Sequence, residues 1–195
     1  MHSMNDGTAL GQAEPAGRWY ALYTRHQHEK VAADLLARKG FETFLPLYTA
    51  VHRWKDRVKT LTLPLYPSYV FLRGGLEPRL AILTTPGVIG IVGFAGRPGV
   101  IPQTEIEAVR RVIDSSLKAE PHPFLKCGER VRVVGGPLGG IEGILVRKKS
   151  FYRLVLSVEL LQKSIAVEID AWMIEPVGQP RLGAVSARVP TSVFA

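Results

Sequence analysis

The chain has 195 residues, 46% of them hydrophobic, and a formal net charge of +8. That leaves room for one ordinary domain plus a small one, or for a single larger domain, and it argues against wholesale disorder. Its single cysteine, Cys127, excludes an intramolecular disulfide and a cysteine-rich metal site. No secretory signal opens the chain, and no apolar run approaches the ~18 residues of a membrane span. A cytoplasmic protein is expected, with no membrane partner.

In chain order, residues 1–17 are small and polar and read as a disordered leader. A strand is predicted over Arg18–Thr24, then a helix over His28–Lys39 with Val31, Ala32, Leu35 and Leu36 on one stripe. Gly40 stops that helix behind Arg38 and Lys39. Phe41–Tyr48 reads as a second strand. Residues 49–63, basic and β-branched around Lys55-Asp-Arg57, read as an exposed hairpin arm. Strands follow over Ser68–Arg73 and Val88–Phe94 with a short helix, Glu77–Leu83, between them. Ala95–Gly99 is a loop, and Gln103–Lys118 is the second full helix, with Ile106, Val109, Ile113 and Leu117 on one side. The order β-α-β, arm, β-(short α)-β-α is close to a split ferredoxin-like unit.

Residues 119–126, with two prolines and no periodicity, read as a flexible linker. Beyond it, short β runs at 129–134, 141–147, 151–158 and 164–169 suggest a small barrel over residues 127–177. The β-branched runs Val131–Val134 and Ile165–Ile169 favour strands, whereas Leu154–Lys163 tolerates helix. Residues 178–195 read as a mobile tail.

In the first four apolar runs both side-chain parities are apolar: Trp19, Ala21 and Tyr23 on one side, Tyr20 and Leu22 on the other. Two helices cover one face of a four-stranded sheet, so the other face is expected to present aromatic residues to a partner. Basic charge also gathers in this half, with nine basic and four acidic residues from Arg18 to Lys59. The barrel region holds seven and six. Such an excess fits a surface facing phosphate and fits plain solubility equally well.

The run Gly128-Glu-Arg-Val-Arg-Val-Val-Gly-Gly-Pro-Leu-Gly-Gly-Ile-Glu-Gly143 places a glycine-rich turn between two strands. Neither a Gly-Lys-Ser/Thr ending nor a helix start follows it, so it reads as a barrel corner rather than a phosphate loop. His26-x-His28 lacks a third ligand and makes a poor metal site. Without a nucleophile elbow, metal box or nucleotide loop, nothing supports an enzyme, and no cofactor is implied.

The glycine-rich segment resembles a KOW motif. Trp19-Tyr-Ala-Leu-Tyr23, Phe44-Leu-Pro-Leu-Tyr48, Pro64-Leu-Tyr-Pro-Ser-Tyr-Val-Phe71 and Pro86-Gly-Val88 resemble, in order, the N-terminal (NGN) domain of NusG-family transcription elongation factors. The resemblance runs over about residues 18–176. The short N-terminal domain and the Arg53-Trp-Lys-Asp-Arg57 arm bring it nearer to the specialised antiterminators of the RfaH, UpxY and LoaP kind than to general NusG.

The resemblance implies an α+β protein, with a ferredoxin-like NGN domain at 18–118, a linker at 119–126 and an SH3-like KOW barrel at 127–177. It implies a transcription elongation and antitermination factor that binds the clamp helices of the largest RNA polymerase subunit through Tyr23, Tyr66, Pro67, Phe71 and Phe94. The His-Thr-Thr motif with which RfaH-like members meet the gate loop of the second-largest subunit is absent. Its position falls on Pro78, Arg79 and Leu80, which leaves Arg79 for that contact.

Arg25, His26, His28 and Lys30 lie where such factors touch exposed non-template DNA, and they also suit a solvated helix end. Arg147, Lys148, Lys149 and Arg153 form the barrel's basic cluster, suited to RNA, a small-subunit ribosomal protein or Rho, or to solvating a hairpin. The competing functions are a ribosome-associated KOW RNA-binding protein and a general NusG acting in elongation and Rho-dependent termination.

Overall fold

The computed structural model describes residues 17–53, 58–125, 128–148 and 151–177. The expected leader up to residue 16, the arm tip, Cys127, Lys149 and the tail lie outside the described residues. So do the side chains of His52, Arg53, Arg147, Lys148 and Phe151.

The chain starts with β1 (Trp19–Thr24) and α1 (Glu29–Arg38). The end of α1 follows from its sequence. Gly40 adopts a φ of +88°, its N–H donates to Ala37 O, and the Phe41 N–H reaches Leu36 O. Phe41 then packs against the cluster that holds Leu36, which completes a Schellman closure.

The single strand expected over Phe41–Tyr48 is two: β2 (Glu42–Phe44) and β3 (Leu47–Arg53). Pro46 lies at the break, and it has no N–H for a ladder. β3 pairs with β4 (Val58–Pro64) as the separate two-stranded arm that was expected. β5 (Tyr69–Arg73), α2 (Arg79–Leu83) and β6 (Val88–Ile91) follow. The stretch expected to continue as strand and loop instead folds into a small hairpin of β7 (Gly93–Phe94) and β8 (Arg97–Pro98). Its turn residues Ala95 and Gly96 have φ of +49° and +75°. Next comes α3 (Gln103–Asp114), four residues shorter than expected. Ser115 Oγ donates to Val112 O at 2.7 Å, and Ser116 turns left-handed at φ +58°.

The N-terminal sheet is antiparallel, in the order β2-β5-β1-β6. One face closes over Leu22, Leu36, Leu72 and Ile82, contributed by β1, α1, β5 and α2. The other face was expected to stay open, and most of it does not. Trp19, Ala21 and Phe71 lie there in one buried cluster with Leu65, Tyr66 and the α3 residues Ile106, Val109 and Val112. The same cluster continues into the second domain through Val131, Leu154 and Ile165. A third helix, a crossing segment and a second domain together close the face that two helices leave bare.

That second domain contains β9 (Ala119–His122), β10 (Glu129–Val133), β11 (Glu142–Lys148), β12 (Phe151–Val158), β13 (Lys163–Ile169) and β14 (Ile174–Pro176). They form an antiparallel sheet in the order β14-β10-β11-β12-β13-β9. The last strand returns to pair with β10, which gives the SH3-like barrel order, and the whole chain is α+β. β14 is too short to leave a periodic signal. β9 is the second correction of consequence: half of the expected linker is a strand on the outer edge of β13.

Candidate interaction surfaces

The strand register sorts the expected contact residues. β1 and β5 place Tyr23 opposite Tyr69, Ala21 opposite Phe71 and Trp19 opposite Arg73. All six side chains therefore share the face that α3 covers. Its inner part is solid core. Phe71 is fully buried, stacked on Phe44 with ring centroids 6.0 Å apart and edge-on to Tyr66 at 5.4 Å. Arg110 of α3 lays its guanidinium over Trp19 and Phe44, 4.9 and 5.1 Å from the ring centroids. This cation–π bracket fixes the helix on the sheet.

Tyr66 is only 1% exposed, and burial, with Glu105 nearby, pushes its phenol far above the ordinary tyrosine value. Its hydroxyl has no hydrogen-bond partner among the described residues. Tyr66 and Phe71, expected at a partner interface, are thus core side chains in this arrangement. They pack in one buried cluster with Leu65 and the α3 residues Ile106, Val109 and Val112 rather than facing solvent.

The outer end of the same face is open. Tyr23 is 44% exposed, and its ring tilts against half-buried Tyr69 with centroids 5.5 Å apart. Burial, with the neighbouring Tyr23 phenol, raises the Tyr69 pKa above its ordinary value. Pro67 is exposed at the turn leading into β5. Phe94, on the β7–β8 hairpin, is 87% exposed, the most exposed of the large apolar side chains among the described residues. Tyr69 was missed by sequence reasoning, although its place in the Tyr-Pro-Ser-Tyr run opposite Tyr23 was a usable signal.

Arg25, His26, His28 and Lys30 are all exposed, in the turn before α1 and in its first turn. Backbone bonds hold the turn: Arg25 N–H donates to Gly87 O at 2.8 Å, and Gln27 takes a φ of +63°. Lys30 Nζ donates to Thr62 O of the arm at 2.8 Å, which ties helix and arm together. Between them Glu29 turns inward, 3% exposed, and its carboxylate accepts the Ser68 N–H at 2.7 Å. Glu29 therefore anchors the Pro67–Ser68 turn from the basic end of α1. Sequence reasoning overlooked it, because an acid in a helix's first turn ordinarily needs no such explanation. Arg79 opens α2, exposed beside Leu80, which is 76% exposed.

The barrel's basic cluster does not survive as one surface. Arg153 is 6% exposed; its guanidinium pairs with Glu120 and lies 3.8 Å from Glu168. A charge held this way is structural, so Arg153 is withdrawn from the nucleic-acid candidates. The glycine-rich corner bends at Gly136 and Gly140, with φ of +69° and +84°. Its carbonyls at Pro137 and Gly139 accept from Arg111 of α3, each at 2.7 Å from Nη2.

The family model described as "Transcription termination factor nusG" matches residues 17–110, the span of the sheet, its arm and most of α3. Over that span the chain is similar to the NusG family. A "Transcription termination/antitermination protein NusG" of Pseudomonas aeruginosa is 28% identical over 178 residues, covering 83% of this chain and 99% of that one. The namesake of Thermus thermophilus is 27% identical over 173 residues, covering 78% and 94%. Both alignments run past the NusG domain into the barrel. Among solved structures, "Domain interaction in Thermotoga maritima NusG" superposes with a TM-score of 0.54 at 16% identity, covering 83% of this chain and 97% of that one; that likeness speaks for the fold. Within residues 17–110, Tyr23 and Phe94 are exposed and lie outside the buried core. Among the described residues no helix is long and apolar enough to cross a membrane.

Proposed function

We propose that this chain is a transcription elongation and antitermination factor whose N-terminal domain binds the clamp helices of RNA polymerase through Tyr23, Pro67, Tyr69 and Phe94. The names of its NusG relatives support the transcriptional role. The observation that carries the surface is the exposure of Tyr23 and Phe94, 44% and 87%, where Trp19, Tyr66 and Phe71 are buried. Aromatic anchors are the side chains that protein interfaces reward most. Tyr66 and Phe71 support this surface from beneath. Arg25, His26 and His28 supply donors and stacking planes for exposed non-template DNA next to it, and Arg79 faces the gate side. The barrel carries a second partner, a ribosomal protein or Rho. No bond is made or broken. A factor that binds the closed, elongating polymerase more tightly than the paused one shifts the equilibrium by that difference.

The specialised antiterminator reading rests on the arm and the Leu65-Tyr-Pro-Ser-Tyr69 run; the full-length coverage of general NusG relatives favours the general reading. Occupancy across the genome separates them: a specialist occupies a few long operons, and a general factor follows polymerase everywhere. For the surface itself, Tyr23→Ala combined with Phe94→Ala should weaken binding to an isolated clamp-helix fragment about 30-fold, about 2 kcal/mol. Unchanged affinity in the folded double variant would remove the assignment.

A further inference from the structure

The segment joining the two domains is laced onto one of them. β9 pairs with β13 from Ala119 opposite Val167 to His122 opposite Ser164. Glu120 on β9 reaches across to the buried Arg153 guanidinium on β12. Beyond the strand, the Leu125 N–H donates to Ser164 Oγ at 3.3 Å and the Leu125 carbonyl accepts from Ser157 Oγ at 3.0 Å. Ahead of it, Lys118 Nζ lies 3.3 Å from the Glu168 carboxylate, and Lys118 O accepts the Glu168 N–H at 3.4 Å. Contacts from 118 to 125 thus run to the barrel. The residues left between α3 and this lacing are Ser115–Leu117, with Ser116 in a left-handed conformation.

Separate bonds hold the barrel on α3. Arg111 spans the boundary with Nε and Nη2 on Pro137 O and Nη2 on Gly139 O, at 3.2, 2.7 and 2.7 Å. Glu105 Oε2 accepts the Glu159 N–H at 3.3 Å. Leu160 lies so close to Gly99 that a Cβ there would meet its Cδ1 at 2.4 Å.

We propose that β9 is a strap belonging to the barrel, that the two domains pivot at Ser115–Leu117, and that Arg111 is the latch that keeps the barrel seated on α3. The strap sets the reach of whatever the barrel carries. At 3.3–3.6 Å per residue, a free segment from 115 to 128 would extend about 46–50 Å, whereas a three-residue joint extends about 10–11 Å. A partner on the barrel is therefore kept beside α3 even when the latch opens, at a local concentration that a long tether does not give.

Hydrogen exchange on the full chain tests this by mass spectrometry of peptides over 119–125 and 135–141. In the parent, 119–125 should exchange at least about 100-fold more slowly than unstructured chain. Arg111→Ala should speed exchange over 135–141 at least about tenfold and leave 119–125 as in the parent. Glu120→Gln should do the reverse, loosening 119–125 and leaving 135–141 protected. Exchange of 119–125 at the unstructured rate in the parent overturns the strap, as does its release together with 135–141 in Arg111→Ala. An unchanged 135–141 in that variant overturns the latch. Arg111→Gln, which keeps the stem of the side chain, repeats the test if the alanine variant unfolds.

Discussion

Two pairs of aromatic side chains in the N-terminal domain have opposite surroundings. Phe71 and Tyr66 are 0% and 1% exposed, whereas Tyr23 and Phe94 are 44% and 87% exposed. Tyr23, Tyr66 and Phe71 sit in motifs that resemble those of one family, and the resemblance alone gives them and Phe94 the same role. The difference lies in what covers them. α3, bracketed by Arg110, closes the inner end of the sheet face, and at the outer end Tyr23 packs against Tyr69. Burial therefore divides the proposed surface into residues that hold the shape and residues exposed to a partner.

The largest test of that division is stability. Phe71→Ala removes a ring stacked on Phe44 and edge-on to Tyr66 and should cost about 3–5 kcal/mol, read by urea or thermal unfolding. Phe94→Ala should stay within about 0.5 kcal/mol, as solvent-exposed substitutions do. If Phe94→Ala also costs several kcal/mol, the hairpin packs on something beyond its visible neighbours and the comparison collapses.

A second contrast separates the basic residues in the same way. Arg25 is exposed, and Arg153 is buried against Glu120 and Glu168. Removing one partner of a buried pair leaves the other charge uncompensated. Because the Glu120 side chain is 39% exposed, solvent softens that penalty, and Arg153→Ala should cost about 2–3 kcal/mol. Arg25→Glu should leave unfolding unchanged and instead reduce binding to single-stranded DNA, with mutant and parent converging as salt rises. An Arg153→Ala protein that keeps its stability but loses nucleic acid would return Arg153 to the surface cluster.

How far the sequence reaches can be judged from these residues. The end of α1 was legible because Gly40, Arg38 and Lys39 are local signals, and the glycine-rich corner was legible for the same reason. Strands β10 to β13 stood out through β-branched alternation. β9 did not, because Ala-Glu-Pro-His carries no β pattern and pairs only through the edge that β13 offers. Arg153 interrupts the apolar run Phe151–Val158, and an isolated charge there was a sign of a buried pair that was read as a solvated cluster. The burial of Tyr66 depends on α3, about forty residues away in sequence, and no local pattern encodes it.

Tyr66 also allows a finer test. Its hydroxyl is buried without a hydrogen-bond partner among the described residues, and an unsatisfied buried polar group costs about 1–3 kcal/mol. Tyr66→Phe keeps the ring against Phe71 and removes that group. Unfolding should show a gain of up to about 1 kcal/mol, with clamp-helix binding unchanged. A loss of binding without loss of stability would mean that the hydroxyl meets the partner directly, and Tyr66 would rejoin Tyr23 and Phe94.

The smallest expected effect lies at the boundary between α3 and the barrel, where Glu105 accepts the Glu159 N–H. Burial raises the Glu105 pKa above the ordinary carboxylate value, the Glu159 N–H lowers it and the Glu159 charge raises it again, with the net direction upward. The folded protein therefore holds this proton more tightly than the unfolded chain does. Stability from that preference is complete below the unfolded value and is lost as pH rises through the folded one. Glu105→Gln keeps an oxygen for the Glu159 N–H and removes the charge, so it should melt slightly higher than the parent at pH 7. The two curves should approach each other as pH falls toward the usual carboxylate range. Glu105 is half-buried and solvent screens part of the effect, so the shift should be smaller than that of Tyr66→Phe. An advantage of the glutamine variant that is the same at pH 4 and pH 7 would show that packing, not charge, sets the cost of seating α3 on the barrel.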